Sequence, residues 1–143
     1  MHLTRYDRNP VFAPTPRSPW ESLAACEPAV HFDGVKVRML YQAAGPDAEH
    51  RSRFGLAESA DGLTFQRVSD QPVFGPSSDG FDAGTVESPR LIRFDGLFVL
   101  SYTARPFPPG QFWKGQPVTS FTPELPSEAP LALRSNLSRG ALA

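Results

Sequence analysis

The sequence has a single cysteine, Cys26, and no long apolar stretch. One cysteine cannot form an intrachain disulfide, so nothing in the sequence requires an oxidising compartment. No run of residues reaches the length of a membrane span, and the first ten residues lack the apolar core of a secretion signal. These absences predict a cytoplasmic protein that makes no contact with a membrane.

The sequence also lacks an excess of either charge. Its 14 basic and 15 acidic residues give a net charge of -1, and neither sign is concentrated in one stretch. A nucleic-acid partner is therefore not expected. The three histidines have no metal-ligand spacing to one another or to the cysteine, so we expect no metal site.

Helix-breaking residues along the whole chain exclude long helices. The sequence contains 16 prolines and 11 glycines, which fall between short apolar runs. What remains is a pattern of short strands, and the predicted fold class is all-β.

An internal repeat gives these strands their organisation. Asn9-Pro10-Val11-Phe12 is echoed 62 positions later by Gln71-Pro72-Val73-Phe74. Four further matches follow in the same order: Trp20-Glu21 with Phe81-Asp82, Glu27-Pro28 with Glu87-Ser88-Pro89, Phe32-Asp33-Gly34 with Phe94-Asp95-Gly96, and Tyr41-Gln42-Ala43 with Tyr102-Thr103-Ala104.

Each copy has the signals of antiparallel strands. Asp-Gly pairs between β-rich runs predict hairpins, and a third Asp-Gly pair at Asp61-Gly62 follows a third strand. The predicted strands of the first copy are 29–32, 35–41, 52–58 and 64–68, and those that begin the second are 91–94 and 97–103. Four strands per repeat indicate a propeller blade.

The second copy is interrupted. A proline-spaced stretch at 105–130 predicts a long loop that could act as a lid, and residues 138–143 resemble the third strand of the first copy. We therefore expect one partial propeller domain over 1–143, with blade one at about 5–70, an incomplete blade two at 71–143, and the chain truncated before the fold closes.

The ordered motifs resemble glycoside hydrolase family 130, the family of β-mannoside phosphorylases and hydrolases. The resemblance covers most of residues 5–104 and includes Glu87-Ser88-Pro89-Arg90 and Ser101-Tyr102-Thr103-Ala104. It implies a five-bladed propeller, of which about two blades are present here. It also implies an oligosaccharide or glycoside substrate, cleaved at a mannoside bond with inversion by water or by inorganic phosphate as co-substrate, with no other cofactor.

Two departures from the family pattern concern its chemistry. The family has an aspartate proton donor where this chain has Ser88, and a serine cannot supply that proton. The family also tends to carry asparagine where Glu27 stands and arginine where Gln42 stands. The related propeller families 43 and 32 place an acidic residue beside proline in blade one and a glutamate before an x-Pro step, an arrangement that Glu27-Pro28 and Glu87-Ser88-Pro89 resemble.

Glu87 and Glu27 are the predicted catalytic residues, with Glu87 as the acid. Glycoside cleavage needs one carboxyl to protonate the leaving oxygen and a second to activate water or attack the sugar. The repeat predicts equivalent positions for them in neighbouring blades, facing the axial channel. The alternative is that both glutamates are architectural and accept backbone hydrogen bonds.

Four further residues are predicted to bind substrate: Trp20, Glu21, Arg90 and Asp82. Trp20 could stack on a sugar ring or pack between blades. Arg90 could hold a sugar hydroxyl or fix Glu87 through a charge-assisted bond. Glu21 and Asp82, matched across the repeat, could reach sugar hydroxyls or be solvated.

Two alternatives remain open from the sequence. Ser88 in place of the family's acidic residue suggests a non-catalytic carbohydrate-binding or scaffold propeller. A short chain with open sheet edges could also complete them by forming a homo-oligomer.

Overall fold

A computed structural model describes residues 2–47 and 51–107, together with the backbone of short strand segments at 111–112, 116–117 and 139–142. The described part is built from strands and one 3-10 helical turn, Pro19–Glu21. No helix in it is long and apolar enough to cross a membrane. The strands, in chain order, are β1 Ala24–Phe32, β2 Val37–Ala44, β3 Arg53–Ser59, β4 Gln66–Arg67, β5 Thr85–Phe94, β6 Leu97–Arg105, β7 Gln111–Phe112, β8 Gln116–Pro117 and β9 Arg139–Leu142.

The first sheet is an antiparallel meander of four strands in the order β1-β2-β3-β4. The second sheet has the order β5-β6-β9, and β9 pairs antiparallel with β6 as β3 does with β2. The third strand that the C-terminal echo predicts is therefore present. The fold is an all-β propeller fold. The first sheet is a four-stranded blade, and the second sheet, with three strands, is a partial blade.

The predicted long loop at 105–130 lies mostly outside the described residues. Within it, β7 and β8 pair antiparallel as a separate two-stranded sheet, so that part is not irregular.

The three Asp-Gly pairs form turns, as predicted. Asp95 and Gly96 both have positive φ, 49° and 78°, which suits a two-residue hairpin between β5 and β6. In the first hairpin, the Asp33 carboxylate accepts the N–H groups of Val35 and Lys36 at 2.9 and 2.8 Å. These bonds draw Val35 into the turn, and β2 begins two residues later than predicted.

Strands β1 and β5, the first strands of the two sheets, begin earlier than predicted. Each continues through a proline, Pro28 in β1 and Pro89 in β5. A β-bulge interrupts the ladder between Cys26 and Ala29 in β1 and between Glu87 and Arg90 in β5. Proline cannot donate to a ladder, and a bulge leaves such a residue unpaired while the strand continues on both sides.

The main core lies between the two blades. Phe54 is fully buried there and stacks on Phe74, while Tyr102 meets both rings edge-on. Its buried members are Ala29, Leu40, Phe54, Val86, Leu100, Tyr102 and Ala104. Because these residues come from both sheets, the contact between the blades is the larger part of the hydrophobic core.

A second core lies on the other face of the first sheet, since successive residues of β2 point to opposite sides. Met39, Tyr41, Ala43 and Ala57 are buried there beneath Phe12, Trp20, Ala25 and Phe65. Gly55 of β3 has no room for a side chain, because the Tyr41 and Trp20 rings lie against it. Phe12 and Trp20 belong to residues 2–23, the N-terminal segment before β1. This segment thus covers the face of the first sheet that lies opposite the main core, the outer face of blade one.

The echoed phenylalanines have matching roles. Phe12 lies 4.6 Å from the Tyr41 ring, and Phe74 lies 5.1 Å from the Tyr102 ring, measured between ring centroids. Each copy therefore places its phenylalanine on its own tyrosine. The structure confirms the sequence repeat as a repeat of contacts.

Candidate active site

The two bulges correct the predicted equivalence of Glu27 and Glu87. Within the bulges, Glu27 and Ser88 have positive φ, 47° and 53°, and each precedes a proline. Cys26 pairs with Gln42 and Glu87 pairs with Thr103, at matching places in the two ladders. In blade one, Glu27 therefore occupies the place of Ser88, and Cys26 that of Glu87.

Glu27 projects from the blade-one bulge towards Arg90 of the neighbouring blade. The Oε2 atom of Glu27 lies 3.9 Å from Nη1 of Arg90, and the two side chains are 42% and 65% exposed. The same Arg90 nitrogen donates to the Pro89 carbonyl at 2.8 Å. Arg90 thus pairs with Glu27, and the expected bond from Arg90 to Glu87 is not the one that the structure forms.

Glu87 pairs instead with Arg105, a residue that the sequence analysis did not select. Arg105 donates from Nε to Glu87 Oε2 at 3.4 Å, with the side chains 33% and 22% exposed. Arg105 ends β6 and has no basic counterpart in the first copy, where Ala44 ends β2. The repeat therefore could not identify it.

Polar side chains of blade one hold the backbone on either side of Glu87. The Ser88 N–H donates to Gln42 Oε1 at 2.8 Å. The Ser52 hydroxyl donates to the Val86 carbonyl at 2.8 Å, and the Ser52 N–H donates to Thr85 Oγ1 at 3.0 Å. These bonds tie the second-blade bulge to the first sheet.

Cys26 lies beside Glu27 on the blade-one bulge. Partial burial, and then the neighbouring Glu27 charge, raise the pKa of the Cys26 thiol above its usual value. The thiol is therefore protonated near neutral pH and has the character of a small polarizable side chain.

Glu21 is buried, contrary to the expectation that it reaches a sugar. It is fully inaccessible, and its two oxygens accept from Tyr41 at 2.9 Å and from Arg67 at 2.8 Å. Arg67 also donates to the Ala13 carbonyl and lies over the Phe12 ring. Glu21 therefore joins the N-terminal segment to the first sheet.

Asp82 has the matching place in the second copy and is likewise buried, with 5% of its surface exposed. Its carboxylate accepts from the Tyr102 hydroxyl at 3.0 Å and from the Ser77 hydroxyl. Both acidic residues thus serve the packing of their own repeat, which corrects the prediction that they bind sugar.

Trp20 is half-buried, and its packing role is the one that the contacts show. Its ring stacks on Tyr41 at 6.3 Å, and Nε1 donates to the Asp70 carbonyl at 2.9 Å. An open cleft of about 490 Å³ runs along it, lined by Arg17, Ser18, Pro19, Trp20, Asp70 and Gln71. Neither candidate catalytic glutamate lines that cleft.

The arrangement brings two solvent-accessible carboxylates to the bulge regions of β1 and β5, each with an arginine partner. Carboxyls in such positions can donate or accept a proton, and the guanidinium groups can bind hydroxyls or anions. Among residues 2–47 and 51–107, no three His, Cys, Asp or Glu side chains are grouped so that they could hold a metal ion.

Comparison with curated proteins finds two relatives from a Thermoanaerobacter species. The chain is 33% identical over 108 residues to a 1,2-β-oligomannan phosphorylase. The aligned region covers 72% of this chain and 36% of the relative. It is 29% identical over 114 residues to a β-1,2-mannobiose phosphorylase, covering 72% and 37%. The chain thus spans about a third of the length of these relatives. No family model matches it.

Solved structures give the same relationship. A glycosyl hydrolase from Bacteroides ovatus matches with a TM-score of 0.61 and 32% identity, over 70% of this chain and 33% of that one. A second structure matches with a TM-score of 0.60 and 30% identity, over 75% of this chain and 34% of that one. It comes from the GH130 family of mannoside phosphorylases, which contains glycoside hydrolases that target β-1,2 mannosidic linkages in Candida mannan.

Proposed function

The chain is related to glycoside hydrolase family 130 over about 72% of its length, and from that premise we propose that it contributes two blades to an enzyme that cleaves a mannoside bond. The observation that carries the proposal is the pair of carboxylates on matched bulges of a propeller whose relatives are phosphorylases and hydrolases of mannosides. The proposed substrate is a short β-mannoside, and the attacking group is water or inorganic phosphate.

Glu87 is the proposed general acid. It is the more enclosed of the two glutamates, with 22% of its side chain exposed against 42% for Glu27. In its protonated form it donates a proton to the glycosidic oxygen as the bond from that oxygen to the anomeric carbon breaks. Arg105, at 3.4 Å, then stabilises the carboxylate that remains.

Glu27 is the proposed second carboxylate. In hydrolysis it takes a proton from the water whose oxygen forms the new bond to the anomeric carbon. In phosphorolysis a phosphate oxygen forms that bond, and the products are a sugar phosphate and the shortened glycoside. Arg90, exposed and 3.9 Å from Glu27, is placed to bind a sugar hydroxyl or the incoming anion beside it.

A carbohydrate-binding propeller without catalysis is the second candidate. Ser88 favours it, because this residue has the bulge position with positive φ in blade two and offers a hydroxyl where the resemblance implies a carboxylic acid. In that case Glu27, Glu87 and the two arginines would bind sugar hydroxyls and no bond would break.

Turnover of β-1,2-mannobiose distinguishes the two candidates. The protein, in the form that its host produces, is incubated with the disaccharide with and without inorganic phosphate, and free mannose and mannose phosphate are measured. The enzyme proposal expects product in one of the two conditions, and Glu87→Gln is expected to lower kcat by at least about 100-fold. Disaccharide binding, measured by calorimetry, should survive this substitution.

The matched control is Glu58→Gln, on β3 of the first sheet. Glu58 pairs with Lys36 and Arg38 away from the bulges, so its substitution should leave turnover unchanged. Binding of the disaccharide without turnover, on this substrate and on a panel of other glycosides, would establish the binding protein and overturn the enzyme.

A further inference from the structure

Glu87 is the last residue of β5 that is paired with β6 before the bulge. The ladder with β6 passes from Glu87, opposite Thr103, to Arg90, opposite Ser101, and skips the two residues between. Ser88 has a φ of 53° and Pro89 has no N–H group. The backbone on the C-terminal side of Glu87 therefore needs a partner outside the second sheet.

Gln42 of blade one is that partner. Its side-chain oxygen accepts the Ser88 N–H at 2.8 Å, and its Nε2 donates to the Ser52 hydroxyl at 3.3 Å. An amide can accept and donate at once, and the second bond fixes which way its oxygen points.

Ser52 completes the connection on the other side of Glu87. It is 4% exposed and its hydroxyl donates to the Val86 carbonyl at 2.8 Å, while its own N–H donates to Thr85 Oγ1. Val86 and Thr85 are fully buried. The two residues flanking Glu87 are thus both bonded to side chains of blade one, Gln42 on β2 and Ser52 immediately before β3.

We propose that Gln42 and Ser52 form an inter-blade clamp that positions Glu87, with Gln42 as a positioning residue for the reaction. The catalytic part of this inference rests on the function proposed above, whereas the clamp itself rests on the hydrogen bonds alone. A carboxyl that must protonate one oxygen has to be held within a fraction of an ångström, and a bulge held from one side only would not do so.

The test uses Gln42→Met, which keeps the length of the side chain and removes both bonds. Gln66→Met, at an exposed position of β4, is the matched control. In the chain labelled with ¹⁵N and ¹³C, Gln42→Met should increase hydrogen exchange of the Ser88 amide about fivefold to tenfold, the effect of losing one hydrogen bond. It should also change the chemical shift of the Glu87 side-chain carboxyl carbon, because the side chain is no longer held in one place, with no change in Gln66→Met.

Ser52→Ala provides a second, independent removal. It removes the hydrogen bond to the Val86 carbonyl and should change the chemical shift of the Glu87 carboxyl carbon. Hydrogen exchange of the Ser88 amide should increase less than in Gln42→Met. Unchanged Ser88 exchange, or an unchanged Glu87 carboxyl chemical shift, in a folded Gln42→Met variant would overturn the clamp.

Activity separates this inference from the proposed function. If the wild-type protein turns over β-1,2-mannobiose, Gln42→Met should lower kcat about tenfold with little change in KM, and equal loss in Gln66→Met would overturn the positioning role. If the wild type has no turnover, the proposed function fails, and with it the catalytic role of Gln42, while the Ser88 and Glu87 resonances still decide the clamp.

Discussion

At the scale of single residues, the same pair of side chains occurs twice. Tyr41 donates to Glu21 and Tyr102 donates to Asp82, at 2.9 and 3.0 Å, and both acids are buried. Aligning the two copies predicted that these acids are matched. It could not predict burial, because an acid in a loop has no apolar pattern of its own, and its partner is a tyrosine 20 residues further on.

The tyrosine pairs predict a loss of stability in alkali. Burial, and then the bond to Asp82, raise the pKa of Tyr102 to about 12, and burial also raises that of Tyr41. An unfolded tyrosine ionises near pH 10. The stabilisation is therefore complete below about pH 10 and is lost as the pH rises towards 12. Urea unfolding across this range should show the decline.

Tyr102→Phe should make that decline smaller without abolishing it, because Tyr41 still contributes. The variant removes the ionisable hydroxyl and keeps the ring that packs on Phe54 and Phe74. An identical slope of unfolding free energy against pH in the wild type and the variant would contradict the assignment.

The Arg67–Glu21 pair predicts a large effect of removing one partner. Glu21 is fully buried, so Arg67→Met leaves a carboxylate without its charge partner and should cost about 3–5 kcal/mol in the free energy of unfolding. Adding Glu21→Gln should recover part of that loss. Arg38→Met, at a solvent-exposed pair, is the control and should cost much less, because water screens exposed charges. Equal effects at the two sites would show that burial is not the cause.

At the scale of strands, the hairpins were predictable and the bulges were not. Asp-Gly pairs indicate tight turns from local chemistry, and all three form them. A bulge depends on which residue of β5 faces which residue of β6, and that register is a property of two strands together. For this reason Glu27 was matched with Glu87 from the sequence, whereas the ladders match it with Ser88.

The bulge conformation reverses the usual effect of two substitutions. A residue with a side chain costs about 1–2 kcal/mol at positive φ, and more when branched. Ser88→Gly should therefore be close to neutral, while Ser88→Val should destabilise the protein by at least about 1 kcal/mol. Thermal or urea unfolding measures both.

Ser101 provides the comparison, since it lies in the regular part of β6 opposite Arg90. There the order should invert, with Ser101→Gly the more harmful change and Ser101→Val tolerated, because glycine weakens regular strands and valine favours them. The same order at both serines would argue against the bulge geometry.

At the scale of the whole molecule, the two blades share one core. Phe54 of blade one is fully buried between Phe74 and Tyr102. The internal repeat predicted that the strands are grouped into two blades. Which blade covers which face depends on the stacking of sheets, and no pattern within a strand carries that information.

Removing Phe54 should therefore weaken both blades together. Phe54→Ala is expected to cost about 3–5 kcal/mol and to leave one cooperative unfolding transition, because residues of both sheets lose the same neighbour. Phe81→Ala, at a side chain that is 43% exposed, should cost far less. Two separate transitions in calorimetry would contradict a shared core.

The contacts of the N-terminal segment have a consequence for the order of folding. The indole of Trp20 reaches the Asp70 carbonyl, and Arg67 reaches the Ala13 carbonyl, across 50 and 54 residues of chain. Hairpins close rapidly because their partners are near in sequence, whereas such long closures lose more chain entropy and come later. During synthesis, Ala13 and Trp20 leave the ribosome long before their partners exist. The N-terminal segment therefore cannot be fastened over the first sheet until the last residues of blade one have been made.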